Sequence, residues 1–98
     1  MNKNKLITRI NRKTAKIGVI GLGYIGLPLI IRFSEEGFKT IGFDTDQEKV
    51  SKLNQSKTYI KHFSSEKIAA AIKTGFRATD DFSKITDIDI ILICVPTP

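Results

Sequence analysis

Lys16-Ile17-Gly18-Val19-Ile20-Gly21-Leu22-Gly23-Tyr24-Ile25-Gly26 is the stretch whose reading decides the fold. The β-branched run from Ile17 to Ile20 reads as a short strand of the kind that is buried on both faces. It breaks into glycines at Gly21, Gly23 and Gly26, a Gly-x-Gly-x-x-Gly spacing, and then resumes as an apolar pattern of helical period. From Tyr24 to about Glu36, residues Tyr24, Leu27 and Ile31, with Ile30 and Phe33, predict one apolar helix face, and Gly37 supplies the stop signal. Pro28 is expected one turn into this helix, where it removes one hydrogen bond and bends the axis slightly.

Further along, Lys39 to Phe43 reads as a second strand that ends at an acid, Asp44. A helix follows from near Asp46 to about Asn54, with Asp46 or Thr45 as cap and Glu48 in the first turn, where the helix dipole favours it. Gln55 to Ser64 has no period and reads as a loop. Ser64 or Ser65 then caps a helix through Ile68, Ala69 and Ile72, stopped by Gly75. Phe76 to Thr79 is a short third strand, Asp80 to Asp87 a turn or short helical segment, and Asp89 to Val95 a continuous apolar strand ended by Pro96 and Pro98. Strands alternating with helices predict the α/β class, with a doubly wound parallel sheet, right-handed crossovers and strand order 3-2-1-4. This is part of a Rossmann-like fold: one half of such a domain plus one strand, so the chain is expected to be the leading part of something longer.

Each glycine of the loop has its own task. Gly21 permits the tight turn out of the strand, Gly23 lets a pyrophosphate approach main chain with no Cβ in the way, and Gly26 lets the helix pack closely. The helix N-terminus, near Tyr24 and Ile25, offers unpaired N–H groups and roughly half a positive charge to the phosphates. Asp44 stands 18 residues after Gly26 on the neighbouring strand, near the separation expected for an acid that accepts hydrogen bonds from a ribose. The chain therefore reads as a dinucleotide binder. Asp44 favours NAD, because a 2′-phosphate would meet like charge there. A second role for Asp44, capping the helix that follows, is compatible with the first. Cys94 lies within an apolar strand and reads as a small core side chain, with no base evident beside it. His62 reads as a solvated loop residue without metal-ligand companions.

Bulk properties set limits around this reading. One domain fits in 98 residues, of which 41% are hydrophobic and 27% charged. No stretch approaches the roughly 20 apolar residues of a membrane span, and no apolar core follows the basic N-terminal residues as in a secretory signal. A lone cysteine agrees with a reducing compartment, so the expected location is the cytoplasm. The net charge of +6 is unevenly spread: Lys3, Lys5, Arg9, Arg12 and Lys13 carry five positive charges with no acid among them. The excess belongs to a basic helical extension over residues 1–15, with Leu6, Ile7 and Ile10 on one side, rather than to a nucleic-acid-binding face.

Beyond pattern, the wording itself resembles a known family. The runs Lys16 to Leu29, Gly42-Phe43-Asp44, Tyr59-Ile60-Lys61-His62, Phe76-Arg77-Ala78-Thr79 and Cys94-Val95-Pro96-Thr97-Pro98 resemble the N-terminal NAD-binding domain of the UDP-glucose/GDP-mannose dehydrogenase family, most nearly its UDP-N-acetylglucosamine 6-dehydrogenases. The resemblance implies residues 1–15 as extension and 16–98 as the first part of the NAD-binding domain, without the catalytic and UDP-sugar-binding parts. It implies NAD as cofactor and a longer parent, expected to be a homo-oligomer, that oxidises the C6 alcohol of a UDP-sugar to a carboxylate for surface polysaccharides. That oxidation passes through a thioester on a cysteine whose motif Cys94 does not match, so these 98 residues are expected to be inactive alone. Carried over by position, the resemblance assigns Gly21, Gly23, Tyr24, Ile25 and Gly26 to the pyrophosphate, Asp44 to the ribose, Lys49 to the adenosine side, and Val95, Pro96 and Thr97 to the loop lining the cofactor crevice. No catalytic residue, metal, nucleic acid or membrane is expected. The alternative is a non-catalytic NAD-sensing regulatory module built on the same unit.

Overall fold

A computed structural model describes residues 3–12, 14–61 and 63–94. Helix α1 (Lys3–Asn11) precedes β1 (Lys16–Ile20), α2 (Gly26–Glu35), β2 (Lys39–Phe43), α3 (Gln47–Asn54), α4 (Ser65–Lys73), β3 (Arg77–Thr79), a 3₁₀ segment (Phe82–Asp87) and β4 (Ile90–Ile93). The strands form one parallel sheet in the order β3-β2-β1-β4, the order that the strand–helix alternation predicts.

Helix α2 begins at Gly26, two residues later than the apolar period suggests, and Pro28 explains the delay. Leu27 N–H donates to the Gly23 carbonyl (3.1 Å) and Leu29 N–H to that of Ile25 (3.2 Å), but Pro28 has no N–H to give Tyr24 in between. The lost hydrogen bond therefore falls at the start of the helix rather than inside it. Tyr24 is left in the loop, 78% exposed, and takes no part in the apolar face, whereas Leu27, Ile30 and Ile31 are fully buried. At its other end, α2 closes on Gly37 in the left-handed conformation, and α4 closes on Gly75. In the same position after α3 stands Ser56, at φ 61°.

The register sorts side chains between two faces. Ile17 pairs with Thr40 and Ile90, and Val19 with Gly42 and Leu92. This face carries α2, α3 and α4, with Leu53 and Ile68 buried in one core with Ile17, Val19, Ile30 and Ile31. The opposite face meets the 3₁₀ segment: Phe82 lies 5.6 Å from Phe43 between ring centroids, and Gly18 leaves room for Ile88. There the last strand is left partly open. Ile90 and Leu92 pack on the core, but Ile91 and Ile93, on the other face, are 37% and 69% exposed. A continuous apolar run shows that two faces can be buried; what covers them is a tertiary matter.

Edge strand β3 is satisfied on its outer side by a side chain. Asn54 Oδ1 accepts from Ala78 N–H (3.0 Å) and Asn54 Nδ2 donates to the Ala78 carbonyl (2.9 Å), imitating a further strand. One polar group of the core is less well served. Thr40 Oγ1, on the helix-bearing face, is buried with no hydrogen-bond partner among the described residues. By contrast, the buried Ser34 hydroxyl shares a 2.9 Å hydrogen bond with Thr74. Replacing Thr40 by valine removes a desolvated hydroxyl and keeps the shape, so Thr40→Val is expected to stabilise the chain by about 1 kcal/mol and raise Tm by roughly 4 °C. Thermal unfolding followed by circular dichroism checks this; an unchanged or lower midpoint would mean that the hydroxyl has a partner in solution.

Helix α1 forms where the basic extension predicts it, with Ile7 and Ile10 exposed. Among the described residues no helix is long and apolar enough to cross a membrane.

Candidate functional site: the glycine loop and its braces

At the carboxyl end of β1 the chain must turn sharply into α2. Gly21 makes that turn at φ 101°, a conformation costly for any residue with a Cβ, while its N–H still donates to the Phe43 carbonyl (2.8 Å). The three glycines prove to have different reasons. A Cβ on Gly26 would lie 1.8 Å from the Gly21 carbonyl oxygen, so Gly26 is required by contact of the helix start with the turn itself. A Cβ on Gly23 would meet nothing within 4 Å, so within the protein that position asks for no glycine at all.

Leu22, between them, holds the loop down. Its side chain is fully buried and fills the space above Gly42, where a Cβ would come within 2.5 Å of it. Its N–H donates to Asp44 Oδ2 (2.9 Å), and its carbonyl accepts from the Tyr59 hydroxyl. Asp44 Oδ1 accepts from Asp46 N–H (2.9 Å), so this carboxylate ties the first loop to the start of the second helical region. Asp44 does not cap α3. That task falls to Asp46, which accepts from Glu48 and Lys49 N–H at 3.0 and 3.3 Å.

α4 is capped in the same manner by Ser64, but the residue preceding α2 is Ile25, which has no capping side chain. The N–H groups of Gly23, Tyr24, Ile25 and Gly26 donate to no acceptor among the described residues. Tyr24 and Ile25 are themselves 78% and 73% exposed. An apolar pair standing in water beside unpaired donors and an open glycine suits the close approach of an anionic ligand, a diphosphate above all.

Next to the loop opens a cleft of about 350 Å³. Gly23 and Tyr24 line it together with Lys49, Lys52 and Tyr59 and with the carboxylates of Asp46 and Glu48. The Lys49 ammonium sits 5.5 Å from the centre of the Tyr59 ring, a cation–π arrangement. Burial, with the Asp44 and Asp46 carboxylates adding to it, pushes the Tyr59 phenol above its ordinary value, so it keeps its proton and remains a donor.

The structure thus brings together Gly21, Gly23, Tyr24, Ile25, Gly26 and Asp44, with Lys49 on the adjoining cleft. Val95, Pro96, Thr97 and His62 lie outside the described residues. Cys94 is half-buried and packs against the core, as a small apolar side chain would. No group of residues able to hold a metal occurs among the described residues. Reading from pattern did not single out Tyr59 for any role, because it sits in an aperiodic loop and reaches Leu22 across 37 residues. Spacing carries no signal for such a contact.

Comparison with known proteins agrees with this geometry. The profile of the UDP-glucose/GDP-mannose dehydrogenase family, NAD binding domain, matches residues 15–98. A UDP-N-acetyl-D-mannosamine dehydrogenase of Methanococcus aeolicus is 35% identical over 97 residues, covering 96% of this chain and 21% of the relative. A UDP-N-acetyl-D-glucosamine 6-dehydrogenase of Salmonella typhi is 32% identical over 83 residues, covering 85% of this chain and 19% of the relative. The crystal structure of an NDP-N-acetyl-D-galactosaminuronic acid dehydrogenase from Methanosarcina mazei superimposes with a TM-score of 0.79 at 31% identity, over 100% of this chain and 23% of that one. The chain spans about a fifth of the length of the curated relatives it matches. With a parallel sheet in 3-2-1-4 order and an uncapped glycine loop beside Asp44, the chain belongs to the UDP-glucose/GDP-mannose dehydrogenase family and carries its NAD binding domain.

Proposed function

We propose that this chain is the cofactor-binding part of a nucleotide-sugar 6-dehydrogenase of the UDP-N-acetylglucosamine or UDP-glucose type, a cytoplasmic enzyme serving surface polysaccharide synthesis. Residues 1–15 are an extension and 16–98 the first part of the NAD-binding domain. The N–H groups from Gly23 to Gly26 hold the diphosphate, Gly21 shapes the turn beneath it, Asp44 receives the adenosine ribose hydroxyls, and Lys49 guards the adenosine side. Val95, Pro96 and Thr97 take the crevice role that family resemblance assigns them. NAD, when bound, would supply the acceptor for the hydride that leaves C6 of the sugar, the hydroxyl proton going to other groups. The protein's share here is to fix the dinucleotide against rigid main chain; the groups that act on the sugar belong to other parts of a homo-oligomeric parent.

The observation that carries this reading is Gly23. It needs no glycine for the protein's own packing, yet lies beside donors that have no acceptor among the described residues. Its backbone is outside the left-handed region, so Gly23→Ala is expected to change folding stability by less than about 0.5 kcal/mol. The added methyl group stands where the diphosphate must approach, and affinity for NAD should fall at least ~10-fold, equivalent to about 1.4 kcal/mol. Calorimetric titration of both forms with NAD measures it, and equal affinities would remove the diphosphate from this loop. For the parent enzyme, NADH formation should appear with UDP-N-acetylglucosamine or UDP-glucose. A parent that produces NADH with neither of them, nor with GDP-mannose, would end the dehydrogenase proposal.

A further inference from the structure

We infer that Tyr59 is a positioning residue for the dinucleotide diphosphate, one that acts through Leu22 to aim the Gly23 N–H. This rests on the NAD reading above and adds to it a residue from outside the glycine motif. The argument is geometric. A peptide group is planar, so fixing the direction of a carbonyl fixes the N–H on the other side of the same bond. The Tyr59 hydroxyl donates to the Leu22 carbonyl, and the N–H that shares its plane belongs to Gly23. The preceding peptide plane is fixed independently, because Leu22 N–H donates to Asp44 Oδ2 at 2.9 Å. Both planes flanking Leu22 are therefore locked by side chains from two other segments of the chain, while the fully buried Leu22 side chain supplies the pivot.

Tyr59 is well held for such a task. Ile60 N–H donates to Thr58 Oγ1 (3.1 Å), and Thr58 N–H donates to Ser65 Oγ (3.1 Å), which ties this loop to the first turn of α4. Lys49 covers the ring face. Residues 58–60 are in this way coupled, through Leu22, to the uncapped start of α2. A hydrogen bond that accepts charge at the Leu22 carbonyl also polarises the Gly23 N–H toward a better donor.

Tyr59→Phe removes the hydroxyl and keeps the ring under Lys49. In the 98-residue chain, affinities for NAD and ADP should each fall about 5- to 10-fold, the size of one hydrogen bond, while affinity for adenosine, which has no phosphate, changes less than about twofold. In the ligand-free protein the Gly23 amide resonance should move. Tyr59→Leu, which also removes the ring, should reproduce the loss for ADP and add a loss for adenosine. If the unsubstituted chain binds NAD and Tyr59→Phe binds NAD, ADP and adenosine with unchanged affinity, the positioning role is wrong and the cofactor reading stands. If all three ligands weaken equally, Tyr59 is merely structural. If the unsubstituted chain shows no NAD binding, the cofactor reading fails, and the inference fails with it.

Discussion

Gly26→Ala is expected to be the most damaging single substitution in the loop. The new Cβ would lie 1.8 Å from the Gly21 carbonyl oxygen, 3.0 Å from its carbon and 3.1 Å from Val19 Cγ1. The first two are main-chain atoms that cannot swing aside, and Gly21 is itself fastened to β2 through its bond to Phe43. The start of α2 must therefore lift from the sheet, at a cost of about 3 kcal/mol, the upper part of the range for overpacked interiors. Against a total stability of roughly 5–15 kcal/mol, Tm should drop by about 12 °C or more. NAD binding should be lost as well, because the donors from Gly23 to Gly26 move with the helix. Urea and thermal denaturation test the first part, and titration with NAD the second. A stable, NAD-competent Gly26→Ala protein would show that the turn relaxes in a way this geometry does not permit.

Asp44→Ala should rank next, for a reason the motif alone conceals. The carboxylate accepts from Leu22 and Asp46 N–H, and alanine strands both donors, one of them on a fully buried residue. Leaving such groups unpaired costs roughly 1–3 kcal/mol. A weakened NAD complex in Asp44→Ala would therefore mix loop collapse with a lost ribose contact. Asp44→Asn separates them, since its amide oxygen keeps one acceptor and the negative charge is gone. The asparagine protein should remain folded, bind NAD about 10-fold more weakly and discriminate less against NADP, whose 2′-phosphate no longer meets a carboxylate. Unchanged NAD affinity in a folded Asp44→Asn protein would take the ribose away from this residue.

Comparison of Gly23 with Gly26 shows how far the pattern could be read. Both were legible as motif glycines, and their separate tasks follow from general principles of phosphate loops. That Gly26 is demanded by the Gly21 carbonyl, and Gly23 by nothing inside the protein, needed three-dimensional positions. Pro28 was equally legible as a missing donor, yet its effect, a helix beginning at Gly26 rather than Tyr24, depended on which carbonyl it failed to serve. For Asp44, the expected ligand role and the role of brace share one side chain. Only the second depends on where Leu22 lies.

Local order along the chain determined the alternation of strands and helices, a cap at Thr45 or Asp46 and another at Ser64 or Ser65, the stops at Gly37 and Gly75, and hence a parallel sheet in 3-2-1-4 order. These features follow from periodicity and from backbone preferences acting over a few residues, so they are written in short stretches of sequence. Tertiary structure alone decided that Tyr59 reaches Leu22, that Asn54 closes the edge of β3, and that Ile91 and Ile93 stand exposed. Each of these joins residues distant in the chain, or depends on what covers a face, and no local pattern encodes such a meeting.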